Sequence, residues 1–82
     1  MAESKINAET KVGSVTRTTD NAGRVLIPIE IERLVSVWVS EAYMIYPRYM
    51  PASPSETMVY VRDPNSFTPI TSASMTFYYR YI

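Results

Sequence analysis

Apolar and polar residues alternate with a period of two in four separate segments, and no other feature limits the fold of this chain as strongly. In RVLIPIEIE, Val25, Ile27, Ile29 and Ile31 alternate with Leu26, Pro28, Glu30 and Glu32. In LVSVWVS, Val35, Val37 and Val39 alternate with Ser36, Trp38 and Ser40. TMVYVRD sets Val59 and Val61 against Met58, Tyr60 and Arg62. SMTFYYRYI puts Met75, Phe77, Tyr79 and Tyr81 on one face and Thr76, Tyr78, Arg80 and Ile82 on the other. Successive side chains of a strand point to opposite faces, whereas a helix repeats near 3.6. A helix over Glu30 to Met44 is the competing reading; it fails because the repeat there is two and β-branched residues dominate.

Turn chemistry separates the alternating runs. KVGSVTRT leads into TDNAG, whose Asp20, Asn21 and Gly23 predict a hairpin with Gly23 at positive φ. Pro28 has no ladder N–H, so its strand is expected at an edge, or Pro28 at a bulge. Tyr43 to Tyr46 reads as a short strand ending at Pro47, and Arg48 to Glu56, with two Pro and two Ser in RYMPASPSE, reads as a loop. Asp63-Pro64-Asn65-Ser66 suits a turn with Pro at its second position. The expected fold is all-β: a small antiparallel β-sandwich, Ig-like or jelly-roll-like, of about six to seven short strands. It spans residues 11–82, after a flexible polar N-terminal arm over residues 1–10.

At 82 residues the chain makes one domain with a small core, so stability is expected to need support. There is no Cys, which excludes disulfides, and no His, which leaves structural zinc without its usual ligands. The same two absences remove the thiol nucleophile and the base that works near neutral pH. Glu30 and Glu32 are the nearest carboxylate pair, and on an alternating strand their ordinary place is the solvated face. Two glycines, Gly13 and Gly23, cannot build a phosphate loop. The expectation is a protein that is not an enzyme and takes no metal or cofactor. Eight basic residues balance eight acidic ones, with no basic run to capture nucleic acid. No apolar stretch approaches a membrane span, and no signal-peptide core is present. Partner subunits remain as the source of extra stability, so a homo-oligomer is expected.

The aromatic residues point the same way. Seven Tyr stand against two Phe and one Trp, and Tyr is favoured where one end is apolar and the other wet. If the valines around it line the core, Trp38 faces outward, and so do Tyr78 and Ile82 on the last strand. Trp38, Tyr78 and Ile82 are therefore the expected subunit interface. In YMIYPRYM, three Tyr, two Met and Arg48 fall within eight residues. Tyr46, Arg48 and Tyr49, with Tyr60 on the next strand, are types enriched in contact hot spots and form the candidate ligand contact. The competing reading gives Tyr43 and Ile45 to the core and buries Tyr46 and Tyr49 against a neighbouring subunit.

The order KVGSVTRTTDNAGRVLI, SVWVSEAYMIYP, MVYVRD and SMTFYYRYI resembles the small β-sandwich modules that end or decorate tailed-phage fibres and other virion proteins. Those modules run from a threonine-rich strand through a turn with Gly to a strand carrying Ile-Pro, and close on a tyrosine-rich strand. The resemblance covers residues 11 to 82 and rests on strand and turn patterns. It implies a structural or receptor-facing role in the virion, usually in a trimer, and it carries no catalytic residue across. The expected function is thus a self-assembling virion structural module at a fibre tip or in capsid or tail decoration. Its expected partners are copies of itself, other virion proteins, and a host surface carbohydrate or protein. The alternative is a carbohydrate- or protein-binding sandwich that uses the tyrosine-rich loop.

Overall fold

A computed structural model describes residues 9–82, with the side chains of 46–51 outside the description. Six strands follow in order: β1 (Lys11–Thr18), β2 (Arg24–Ile27), β3 (Leu34–Val39), β4 (Met44–Ser53), β5 (Glu56–Arg62) and β6 (Ser74–Tyr81). Among the described residues the helical content is one 3₁₀ turn, Ile31–Arg33. The strands form two three-stranded antiparallel sheets, β1-β6-β3 and β2-β5-β4, packed as a sandwich. This is the all-β architecture that the alternating segments predict.

The core is the set of residues that alternation turns inward. Val25, Ile27 and Ile29 enter it from the β2 segment, Val59 and Val61 from β5, Val37 from β3, and Met75 and Phe77 from β6. Phe77, Ile27, Val59 and Val61 have no exposed surface. Each such side chain contributes about 1.5–3 kcal/mol by leaving water. Two buried polar residues find partners. Thr57 donates its hydroxyl to the Ile29 carbonyl at 2.7 Å, and the Thr19 hydroxyl accepts the Ala73 N–H at 3.0 Å. Pro28 stops β2 by forming the middle of a three-residue turn, in which the Ile29 N–H bonds to the Ile27 carbonyl at 2.8 Å.

Three local expectations are corrected. TDNAG supplies a turn, with Gly23 at φ +75°, but no hairpin: β1 pairs with β6 and β2 with β5. The chain here crosses from one sheet to the other. Thr19 exchanges backbone bonds with Ser72 and Ala73, fixing the end of β1 beside β6, while the Gly23 carbonyl accepts the Val61 N–H at 2.8 Å and delivers β2 to β5. Second, the stretch expected as a loop over Arg48 to Glu56 continues β4 to Ser53 and turns at Pro54 and Ser55. β4 lies at a sheet edge, where prolines at positions 47 and 51 are tolerated, and its register shifts between Tyr46 and Met50. Third, β3 is bulged. Leu34 lies opposite Tyr81 and Ser36 opposite Arg80, so Val35 is the extra residue and Leu34 packs on the core in its place. Glu30 and Glu32 also leave the strand pattern: Glu30 precedes the 3₁₀ turn and Glu32 lies within it.

Gly23 and Asp20 organise the sheet crossing. A Cβ at Gly23 would stand 2.8 Å from the Val61 carbonyl oxygen and 2.9 Å from the Pro69 Cβ. The Asp20 carboxylate accepts the backbone N–H groups of Arg24 and Ala22 at 2.9 and 2.8 Å, and its second oxygen takes Arg24 Nε at 2.9 Å. The Arg24 N–H is the main cause holding the Asp20 carboxyl below its ordinary 3.8; burial opposes it, while the Ala22 N–H and the guanidinium reinforce it. In the β5–β6 connection, the N–H groups of Asn65 and Ser66 lower Asp63 in the same way.

Gly23→Ala is expected to destabilise the fold by at least about 1–2 kcal/mol from the left-handed backbone alone, with the clash on Val61 adding to it. Thermal melting should show a Tm lower by roughly 4–8 °C for each kcal/mol lost. Acid should also weaken the fold. Both carboxyls are depressed in the native state, so their stabilisation is complete above the unfolded value and is lost as pH falls through it toward the lower native one. Urea midpoints measured from roughly pH 6 down to pH 2 should therefore fall, and the fall should be shallower in Asp20→Asn and Asp63→Asn.

Candidate interaction surfaces

Once alternate residues have filled the core, the outer sheet faces carry what is left for contact. On the β1-β6-β3 sheet, Ser14, Tyr78 and Trp38 lie in one row across the three strands. The Trp38 and Tyr78 rings stack with centroids 5.9 Å apart and planes inclined by 21°. Trp38 remains 38% exposed. The neighbouring row joins Thr16 to Thr76, whose hydroxyls are 3.1 Å apart. On the other side lie Val12, Arg80 and Ser36, with Arg80 Nη1 donating to the Thr10 hydroxyl at 3.3 Å. The result is an aromatic pair set among hydroxyls, with Val12 52% exposed at the sheet margin. Such a face can stack on another flat apolar surface while its rim exchanges hydrogen bonds.

Of the three expected interface residues, the structure brings two together. Ile82 is placed apart from them. It lies four residues beyond Tyr78, roughly 13 Å along a strand, and Arg33 holds its backbone from both sides. The Ile82 N–H donates to the Arg33 carbonyl at 3.0 Å, and Arg33 Nε donates to the Ile82 carbonyl at 2.7 Å. The Arg33 guanidinium also sits 5.4 Å from the Tyr81 ring centroid.

On the β2-β5-β4 sheet, Tyr60 is half-buried, with Arg24 opposite it on β2 and Tyr46 opposite it on β4. The Arg62 guanidinium lies 5.8 Å from the Tyr60 ring centroid. Tyr46, Arg48 and Tyr49 fall on the β4 backbone instead of in a loop, and their side chains lie outside the described residues. Tyr43 is 37% exposed, whereas Ile45 packs on the core.

A shallow groove of about 550 Å³, which the sequence pattern did not reveal, follows the open edge of β2. Leu26 and Met58 line it together with Arg17, Arg24, Asp20 and Glu56. Its charges are already engaged: Arg24 pairs with Asp20, Arg17 Nε donates to the Leu26 carbonyl at 3.2 Å, and Ser53 donates to Glu56 at 3.4 Å. Reading β1 and β2 as a hairpin hid this groove, because a hairpin leaves no gap between those strands. Among the described residues no group of three or more carboxylates is placed to hold a metal ion. Comparison with protein-family models, with curated proteins and with solved structures finds no match for this chain.

Trp38 is the only tryptophan, so its emission reports on this face alone. Tyr78→Ala should shift that emission to the red and cost about 0.5–1.5 kcal/mol beyond the area lost. Unchanged Trp38 emission in the folded variant would show that the two rings do not share an environment.

Proposed function

We propose that this chain is a non-enzymatic structural module that assembles into a larger particle through the outer face of the β1-β6-β3 sheet. One observation carries the reading. The stacked Trp38–Tyr78 pair is the largest aromatic feature on that face, and it stays partly exposed although the fold has its core elsewhere. A partly exposed Trp stacked on a half-buried Tyr supplies residue types that serve as contact anchors. The absence of Cys and His supports a role without chemistry of its own. The resemblance to phage fibre and decoration modules supports a virion as the particle, with copies of the same chain, in a trimer, and other virion proteins as partners.

A second reading is favoured by a different observation, the pairing of Tyr46 with Tyr60 across the other sheet. It makes that face a carbohydrate- or protein-binding surface, with Tyr46, Arg48, Tyr49 and Tyr60 as the contact, and it requires no oligomer.

Sedimentation separates the two. The unaltered chain is expected to be heavier than a monomer, and the doubly substituted Trp38→Ala, Tyr78→Ala chain to be lighter than the unaltered one. Circular dichroism should show that the variant retains its β structure. An unaltered chain that sediments as a monomer at all accessible concentrations removes the first reading and leaves the second.

A further inference from the structure

Among the described residues the sandwich has four edge strands, and three of them are blunted. β2 has four residues, ends at Pro28, and has the Leu26 carbonyl occupied by Arg17. β3 carries the bulge at Val35, and β4 has prolines at 47 and 51 together with two register shifts. These are recognised ways of closing an edge to another strand. β1 differs. It pairs with β6 through eight consecutive positions with no register shift and has no proline.

The backbone phase of β1 follows from its last bonds. Thr19 donates to the Ala73 carbonyl and accepts the Ser72 N–H, so odd-numbered residues turn their backbone groups toward β6. Alternation in an antiparallel ladder then turns Val12, Ser14, Thr16 and Thr18 outward. The opposite side of β6 agrees, since the Ile82 N–H points the other way, to Arg33. Among the described residues no strand lies on the outward side of β1, and the Thr16 carbonyl is met there only by Arg17 Nη1 at 3.5 Å.

We infer that this edge binds a second copy of itself, β1 against β1 about a two-fold axis, joining two sheets into one of six strands. The outward residues and the charges select the register. Even-numbered residues must pair with even-numbered ones for their free groups to meet. Centring the axis on Ser14 would set Lys11 opposite Arg17 of the partner subunit twice, placing like charges face to face. Centring it on Val15 avoids this and pairs Ser14 with Thr16 of the partner subunit. It also covers the exposed Val12 with Thr18 of the partner subunit. Four residue pairs then exchange about two hydrogen bonds each. This goes beyond the aromatic-face reading and does not depend on it, because the edge and the face are different surfaces.

The test reads the edge amides directly. Hydrogen exchange on the unaltered chain should show Val12, Ser14, Thr16 and Thr18 becoming protected as concentration rises, while Val15, bonded toward β6, is protected throughout. Ser14→Pro removes an outward N–H and spares the β6 ladder, so it should abolish the concentration dependence and reduce the mass in solution. Because the chain has no cysteine, Val15→Cys supplies a second probe should Ser14→Pro fail to fold. Opposed across the axis at a non-hydrogen-bonded position, the two thiols should form a disulfide-linked dimer under mild oxidation, and Ser14→Cys should not. Even-numbered amides that exchange freely at every concentration overturn the proposal. So does protection independent of concentration, which would mean that the edge is covered within one chain. The doubly substituted Trp38→Ala, Tyr78→Ala chain should keep the edge protection, which separates this proposal from the aromatic-face reading.

Discussion

β6 holds the first sheet together, because among the described residues β1 and β3 pair there with that strand alone. Its hydrogen bonds divide by parity: odd residues bond toward β1 and even residues toward β3. Its side chains divide the same way, Met75 and Phe77 into the core and Tyr78 outward onto Trp38. One strand thus sets the core, the outer face and the open edge at once. Close fit is needed even at the margin. The Tyr79 ring lies over Gly13, so near that a Cβ there would stand 2.5 Å from the ring, and Tyr81 packs beside it with centroids 5.6 Å apart. Gly13 leaves room for a ring, and the ring covers the backbone that a glycine in an edge strand would expose.

Between the sheets, polar groups mark where the chain crosses. Thr57 ties β5 to the turn after Pro28, and Thr19 ties the end of β1 to the segment before β6. Arg17 reaches from β1 to the Leu26 carbonyl on β2 and links the two edges. Each bond satisfies a backbone group that the end of a sheet leaves without a ladder partner. The groove beside β2 is what remains when two sheet edges are tied at a few points instead of along their length.

Much of this was legible in the residues. The alternation around Val25, Val37, Val59 and Phe77 is a local property, and burial follows it closely. The outward position of Trp38 follows from the same parity. Strand partnership was not legible. Asp20, Asn21 and Gly23 specify a turn, but whether it closes a hairpin or crosses between sheets depends on Ser72 and Ala73, some fifty residues away. The bulge at Val35 shows in the pairing of Leu34 with Tyr81 and of Ser36 with Arg80, which no local pattern encodes. The prolines at 47 and 51 argued for a loop; they sit in a strand because an edge position does not require their missing N–H groups. The candidate contact residues inherit that difference. Tyr46 lies opposite Tyr60, whereas Arg48 and Tyr49 fall in the part of β4 where the register shifts.

The strand order also bears on how the chain acquires its shape. Only β4 and β5 are both consecutive and paired; the other adjacent pairs in the order change sheet. The β4–β5 unit closes across the short turn at Pro54 and Ser55 and so costs the least chain entropy, and β2 can join it once β5 is in place. β1 and β3 must wait until β6, the last of the six, slots between them. Until then the folding chain holds two unpaired strands, rich in valine and threonine, that other chains can meet. The blunted edges of β2, β3 and β4 therefore serve the unfinished chain as well as the finished one, by limiting what those waiting strands can meet.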